Sequence, residues 1–128
     1  MSHFRLVIAS AVLAAWPSWA ESAHKWKKIW AVTAGVLGAV QVADVASSRG
    51  MPEANPLLRD GSGQFHVGRA MWIKLGASAG LLTLEAILAR RERDRNLYKP
   101  FSVINLGAAG AVGAVAVRNA RMRAQALP

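Results

Sequence analysis

The stretch that decides the fold is residues 29–48, IWAVTAGVLGAVQVADVASS, an apolar run of 20 residues. Basic residues border it on both sides, because Lys25, Lys27 and Lys28 precede it and Arg49 follows it. A helix rises about 1.5 Å per residue, so this run covers the roughly 30 Å of a bilayer's hydrocarbon core. The run therefore predicts a membrane-spanning helix.

Two more apolar runs follow, residues 67–89, VGRAMWIKLGASAGLLTLEAILA, and residues 101–117, FSVINLGAAGAVGAVAV. Arg118 directly follows the shorter third run, and its long side chain can reach the membrane surface. Gly and Ala are abundant in all three runs, as is common in helices embedded in lipid. The sequence thus predicts an all-α fold, an integral membrane bundle of three transmembrane helices over residues 29–48, 67–89 and 101–117.

The amino-terminal segment, residues 1–20, has the features of a secretory signal peptide. The basic Arg5 is followed by a short apolar run, residues 6–16, and by the helix-breaking Pro17. The small residues Ser18 and Ala20 then precede the expected cleavage point. We expect cleavage after Ala20, which leaves residues 21–128 as a single transmembrane domain. If it is uncleaved, the segment is an anchor and adds a fourth spanning helix.

The composition of the 128-residue chain narrows the class of protein. Its apolar fraction of 53% excludes intrinsic disorder, and the absence of cysteine excludes disulfides, a thiol nucleophile and a Cys-ligated metal site. The net charge is +9, and the basic residues responsible for it cluster at the borders of the apolar runs. A nucleic-acid-binding domain instead spreads its basic residues along one face. We therefore expect a lipid bilayer as partner and no nucleic acid.

Asp44 and Lys74 are charged residues inside the apolar runs, where charge is costly and marks a candidate site. In an antiparallel hairpin of residues 29–48 and 67–89, Asp44 lies four residues from one end and Lys74 seven from the other. Their depths then agree within about one helical turn, ~5 Å. The spacing predicts an intramembrane ion pair.

A second polar layer is predicted nearer the opposite surface. Thr33, Glu85 and Asn105 each lie four residues from the end of their apolar run, so antiparallel packing brings them to one level. There the carboxylate can accept hydrogen bonds from the amide and the hydroxyl. Alternatively, Glu85 reaches the headgroups or pairs with Arg90. Either polar layer can hold the helices together or can form a pathway for ions or protons.

The most specific motif is residues 44–56, DVASSRGMPEANP. Asp44 and Ser47 are one turn apart, and Gly50 can adopt the positive φ that ends a helix. Asn55 and Pro56 suit the cap and first position of a short helix. This account leaves unexplained why a second carboxylate, Glu53, follows the turn.

The pattern D-x-x-[ST]-x-x-G-x-x-E-x-N-P resembles that of a family of small bacterial multi-span membrane proteins of unknown function. Its positions are occupied here by Asp44, Ser47, Gly50, Glu53, Asn55 and Pro56. Lys74 is similar to a basic residue in the next helix of that family. The resemblance covers roughly residues 32–88 and does not extend to the third run. It implies a multi-pass protein of the bacterial inner (cytoplasmic) membrane, and it implies no reaction.

Small residues recur four apart in the apolar runs, a spacing that favours either a tight bundle or a homo-oligomer. The pairs are Ala34 with Gly38, Gly76 with Gly80, and Ala109 with Gly113. The tryptophans nearest the ends of the runs are expected to be interfacial anchors, namely Trp26, Trp30 and Trp72.

The chain carries no phosphate-binding loop, no nucleophile elbow and no paired histidines, so we expect no catalytic residues, cofactor or metal. A structural or accessory role is the first expectation. An oligomeric ion- or proton-coupled carrier, in which Asp44 and Lys74 exchange partners, is the alternative. A third hypothesis is a membrane-edge hydrolase that uses Glu53, Asp44 and His66, with Ser47 or Ser48 as nucleophile.

Overall fold

The structure, a computed structural model, describes residues 23–126 of the chain. It contains three long helices, which we label α1 (Ala23–Ser47), α2 (Val67–Arg91) and α3 (Tyr98–Gln125). A short 3-10 turn, Arg93–Arg95, follows α2. All three long helices are long and apolar enough to cross a membrane, which confirms the predicted all-α bundle. The predicted signal peptide, residues 1–20, lies outside the described residues.

The helices extend beyond the predicted spans. α1 begins six residues before Ile29, and α3 continues for eight residues after Val117. The prediction counted only the apolar residues of each run. The flanking residues are rich in Lys, Arg, Ala and Gln, which are good helix formers, so the backbone stays helical after the apolar run ends.

The interior of the bundle is unusually rich in polar residues, and large apolar residues lie on its surface. Within residues 23–126, six buried residues are polar or charged, and four of the seven buried apolar residues are alanines. Large apolar side chains lie on the outside, for example Val32, Leu84 and Ile104, which are 65%, 52% and 55% exposed. A helix bundle in water buries such side chains, whereas a bundle in lipid presents them to the acyl chains and satisfies its polar groups internally.

α1 packs along α3 more extensively than on α2, and α2 and α3 touch little. A side-chain carbon built onto Gly113 of α3 would lie 3.7 Å from Val40 of α1, and nearby Ala109 is buried. This predicted small-residue pair therefore lies where α1 and α3 pack closely. Gly76 and Gly80 of α2 have open space around them instead.

The chain reverses direction between successive helices, so each end of the bundle carries one end of every helix. The loop end carries Ser47, Val67 and Gln125, and the Tyr98 end carries Ala23, Arg91 and Tyr98.

The segment between α1 and α2 folds back on itself at the loop end. Two antiparallel bridges tie it together, Pro52 with Gln64 and Arg59 with Phe65. The Phe65 ring is buried in a small apolar cluster with Val45 of α1 and Ala70 of α2. This cluster holds the loop against the helices.

Candidate functional site

The structure brings together Asp44 and Lys74, as their predicted depths imply. Lys74 Nζ of α2 donates a hydrogen bond to Asp44 Oδ2 of α1, and the two side chains form an ion pair. The Asp44 side chain is 5% exposed and that of Lys74 is 25% exposed. A buried charge that loses its partner is far costlier than a paired one, so the carboxylate of Asp44 depends on Lys74.

The second carboxylate oxygen of Asp44 has a different environment. Oδ1 is buried and has no hydrogen-bond partner among the described residues. An ionised carboxylate has acceptor capacity on both oxygens. The ion pair therefore leaves one buried acceptor position of Asp44 unused.

A second hydrogen bond joins α1 and α2 next to the ion pair. Gln41 Nε2 donates to Ser78 Oγ over 3.3 Å. Gln41 lies one turn before Asp44, and Ser78 lies one turn after Lys74, so this contact stacks on the ion pair. Ser78 is not among the residues predicted from the sequence, since serine in a helix rich in small residues is usually a packing residue.

The second polar layer joins all three helices through one carboxylate oxygen. Glu85 Oε2 of α2 accepts hydrogen bonds from Asn105 Nδ2 of α3 at 3.0 Å and from Trp30 Nε1 of α1 at 2.8 Å. Glu85 is 3% exposed and Asn105 is fully buried. The ion pairs found within residues 23–126 do not include the alternative pairing of Glu85 with Arg90.

Thr33 is not the partner of Glu85 that the sequence predicts. Its hydroxyl donates to the backbone carbonyl of Trp30 at 3.0 Å, within the same helix. A helical threonine commonly returns its hydrogen bond to the carbonyl one turn earlier, and this local bond is always within reach. The expected contact between Thr33 and the carboxylate is therefore wrong.

Trp30 takes the position that we expected Thr33 to hold. Its ring centroid lies 5.5 Å from that of Tyr98, while its indole N–H reaches Glu85. Trp30 is half-buried, and a tryptophan whose N–H is turned into the protein usually finds an acceptor there. The one available signal is spacing, because Trp30 precedes Thr33 by three residues and shares its helix face.

The motif residues at the end of α1 act on its backbone. The hydroxyls of Ser47 and Ser48 each donate to the carbonyl oxygen of Asp44 at 2.9 Å. Gly50 follows with φ of 75°, the left-handed conformation predicted for the residue that ends the helix. Asp44 is thus held both through its side chain and through its carbonyl.

Two side chains of α3 complete this helix end, and the sequence analysis did not identify them. Asn119 Nδ2 donates to Ser48 Oγ at 3.0 Å, and Arg123 Nη1 donates to the carbonyl oxygen of Ala46 at 3.2 Å. The last carbonyls of a helix lack partners within the helix, and cationic side chains often satisfy them.

The rest of the motif shapes the loop. Glu53 Oε1 accepts from the Asn55 backbone N–H at 2.8 Å, and Asn55 Oδ1 accepts from that of Leu57 at 3.0 Å. The short helix predicted after Pro56 is a single turn, because the chain enters the bridge at Arg59 directly afterwards. Glu53 thus accepts a hydrogen bond from the loop backbone, which gives this second carboxylate a structural role after the turn.

His66 is the amino-terminal cap of α2, where its Nδ1 accepts from the Arg69 backbone N–H at 3.0 Å. Within residues 23–126, no hydrogen bond or ion pair joins His66, Glu53 and Asp44 to one another. The structure therefore does not bring the three proposed hydrolase residues into contact.

Comparisons with protein-family models, with curated proteins and with solved structures give no match to this chain. The resemblance carried by the motif stays a prediction. Among the described residues, no group of three His, Asp or Glu side chains gathers to hold a metal ion. The function must therefore be inferred from the interhelical polar contacts.

Proposed function

We propose that this protein is a small multi-pass protein of the bacterial inner membrane with a structural or accessory role, and that residues 1–20 direct its insertion as a signal peptide. The Asp44–Lys74 pair holds α1 against α2. The observation that supports this role is that polar side chains on different helices bind one another at several levels of the bundle.

The energetics of helix association in lipid support the proposal. Acyl chains are as apolar as leucine, so apolar faces gain little by meeting each other. Close packing of small residues and interhelical hydrogen bonds then decide which helices associate, each bond contributing ~0.6 kcal/mol on average. Such contacts join all three helices here, which is sufficient reason for their presence without any transport or catalysis.

The test is to remove and then restore the charge balance of the pair. Asp44→Asn leaves Lys74 without its counter-charge and should lower the yield of folded, monodisperse protein extracted from membranes. The double variant Asp44→Asn with Lys74→Met removes both charges and should recover much of that yield. Size-exclusion chromatography of a fluorescent fusion measures the yield.

Asp94→Asn is the matched control, because Asp94 is exposed and lies in the short 3-10 turn. It makes the same chemical change outside the bundle interior and should leave the yield unchanged. A full yield from Asp44→Asn alone would refute the structural role of the pair.

A second candidate function is an oligomeric ion- or proton-coupled carrier. The observation that favours it is Asp44 Oδ1, a buried acceptor without a partner beside a charged pair. A proton or a small cation bound there would compete with Lys74 for the carboxylate. Proteoliposomes with a pH-sensitive dye test this function, since it requires ion-driven proton flux that Asp44→Asn abolishes without loss of assembly. Absence of flux from the unaltered protein would exclude it.

A further inference from the structure

A cavity of about 510 Å³ opens at the Tyr98 end, between the first turn of α1, the last turns of α2 and the start of α3. The residues that line it include His24, Lys27, Arg90, Arg93 and Tyr98. Its volume falls within the range of sites that hold small ligands. Neither the Asp44–Lys74 pair nor Glu85 and Asn105 line it, and it has no role in the proposed function.

The charge of this cavity is unbalanced. Lys27, Arg90 and Arg93 come from three different elements and converge on it, and none of its lining residues within 23–126 carries a carboxylate. The ion pairs of residues 23–126 involve none of the three. Basic residues that only marked the membrane border could lie anywhere around the bundle, so their convergence on one cavity indicates an anionic ligand.

The side chains around the cavity indicate the type of anion. Guanidinium groups, here those of Arg90 and Arg93, present a planar fork of donors that matches phosphate oxygens, and lysine adds a compact positive charge. Tyr98 contributes a hydroxyl that can donate a further hydrogen bond. A phosphate group fits this set of donors.

The surroundings decide between a lipid and a soluble phosphate compound. Close to the cavity lining along the chain, α2 and α3 expose apolar side chains, among them Ile87 at 44%, Leu88 at 38% and Val103 at 47%. A phospholipid whose headgroup occupied the cavity would lay its acyl chains along these faces. We propose that the cavity binds the phosphate headgroup of an anionic phospholipid, a hypothesis that rests on the proposed membrane location.

The test measures lipid binding by native mass spectrometry of the full chain in detergent. Cardiolipin and phosphatidylglycerol are titrated, with phosphatidylcholine as the zwitterionic reference. The triple variant Lys27→Gln, Arg90→Gln, Arg93→Gln should bind the anionic lipids about a hundredfold more weakly, since it removes three direct contacts to the phosphate and the loss of each is expected to weaken binding by about fivefold. Arg90→Lys alone keeps the charge but loses the planar fork, and it should weaken binding by several-fold.

The matched control removes the same charge at the same end but outside the cavity lining. It is the triple variant Lys25→Gln, Lys28→Gln, Arg91→Gln, which should stay within about threefold of the unaltered protein because none of these residues lines the cavity and contacts the headgroup. Equal weakening in both triples would overturn the proposal in favour of diffuse surface attraction. Glycerol phosphate that binds the cavity without competition from lipid would also overturn it.

The outcome also separates this inference from the proposed function. If the protein is not recovered in the membrane fraction, the proposed function fails. If it is recovered there and lipid binding does not depend on Lys27, Arg90 and Arg93, only the headgroup site fails.

Discussion

Trp30 Nε1 of α1 donates a 2.8 Å hydrogen bond to Glu85 Oε2 of α2, across 55 positions of sequence. The same oxygen accepts from Asn105 of α3, so a single carboxylate oxygen connects all three helices. Because Glu85 is 3% exposed, water is a poor substitute for either donor. This layer and the Asp44–Lys74 pair hold the bundle at two levels.

Trp30→Phe should destabilise the bundle by about 1 kcal/mol. The substitution removes the hydrogen bond to Glu85 together with part of the indole ring, and it leaves a smaller aromatic ring beside Tyr98. Steric trapping in bicelles measures the free energy of unfolding.

Thr33→Val is the control for this experiment. Its hydroxyl bonds only to the carbonyl of Trp30 in its own helix, so its loss should change the unfolding free energy by less than about 0.5 kcal/mol. A larger effect from Thr33→Val than from Trp30→Phe would show that Thr33, and not Trp30, holds the layer.

The three spans can be tested by labelling single cysteines, because the chain has none of its own. Ala23, Ala54, Asp94 and Ala124 are all exposed and lie at the ends of the bundle. A membrane-impermeant maleimide applied to intact spheroplasts should label one pair of variants and not the other. Either Ala23→Cys and Asp94→Cys both react while Ala54→Cys and Ala124→Cys do not, or the reverse. The pair that reacts also gives the orientation.

Ala79→Cys is the internal reference for the labelling. Ala79 is exposed at the middle of α2, so in a bilayer it faces acyl chains and should resist the reagent even after lysis. Labelling of Ala79→Cys at the rate of Ala54→Cys would argue against a spanning α2.

Asp60 gives the loop end a dependence on pH. The Ser62 hydroxyl, at 2.6 Å, and the Gln64 backbone N–H, at 3.0 Å, donate to its carboxylate and hold the pKa of Asp60 below its ordinary value of 3.8. Since the pKa is lower in the folded loop than in the unfolded chain, ionised Asp60 stabilises the loop above pH 3.8. That contribution disappears as the pH falls through the folded pKa.

Ser62→Ala should therefore raise the pKa of Asp60 towards 3.8, because it removes the largest cause of the shift. Titration of the Asp60 side-chain carboxyl carbon by NMR in micelles follows the change. Ser62→Thr keeps the hydroxyl and should keep the lowered pKa. An unchanged pKa in Ser62→Ala would mean that the backbone donors alone set it.

Much of the fold follows from the sequence, because the depth of a residue in the membrane can be calculated from its position within its apolar run. Helical rise is constant, so the positions of Asp44 and Lys74 within their runs predict that the two residues meet. Glu85 and Asn105 meet for the same reason. Local backbone chemistry is also readable, as at Gly50, whose positive φ only a few residue types adopt readily.

Depth alone does not predict which neighbours meet at a given level. Thr33 and Trp30 share a face and differ by one turn, and only the length and direction of the indole, with its single donor, select Trp30 as the partner of Glu85. Asn119 and Arg123 lie beyond the apolar run of α3, so the position of a residue within that run does not predict their contacts. Their contacts with α1 exist because α3 stays helical past the run and packs along α1.

Three apolar helices, their order and the levels of their buried charges can be read from the sequence, because these depend on chain length, helical rise and the cost of charge in lipid. The tertiary structure decided that α1 packs more closely on α3 than on α2, and that Lys27, Arg90 and Arg93 surround one cavity. These features depend on how each helix is rotated about its axis and which helix lies beside it. Lateral packing sets both, and no count along the chain contains that information.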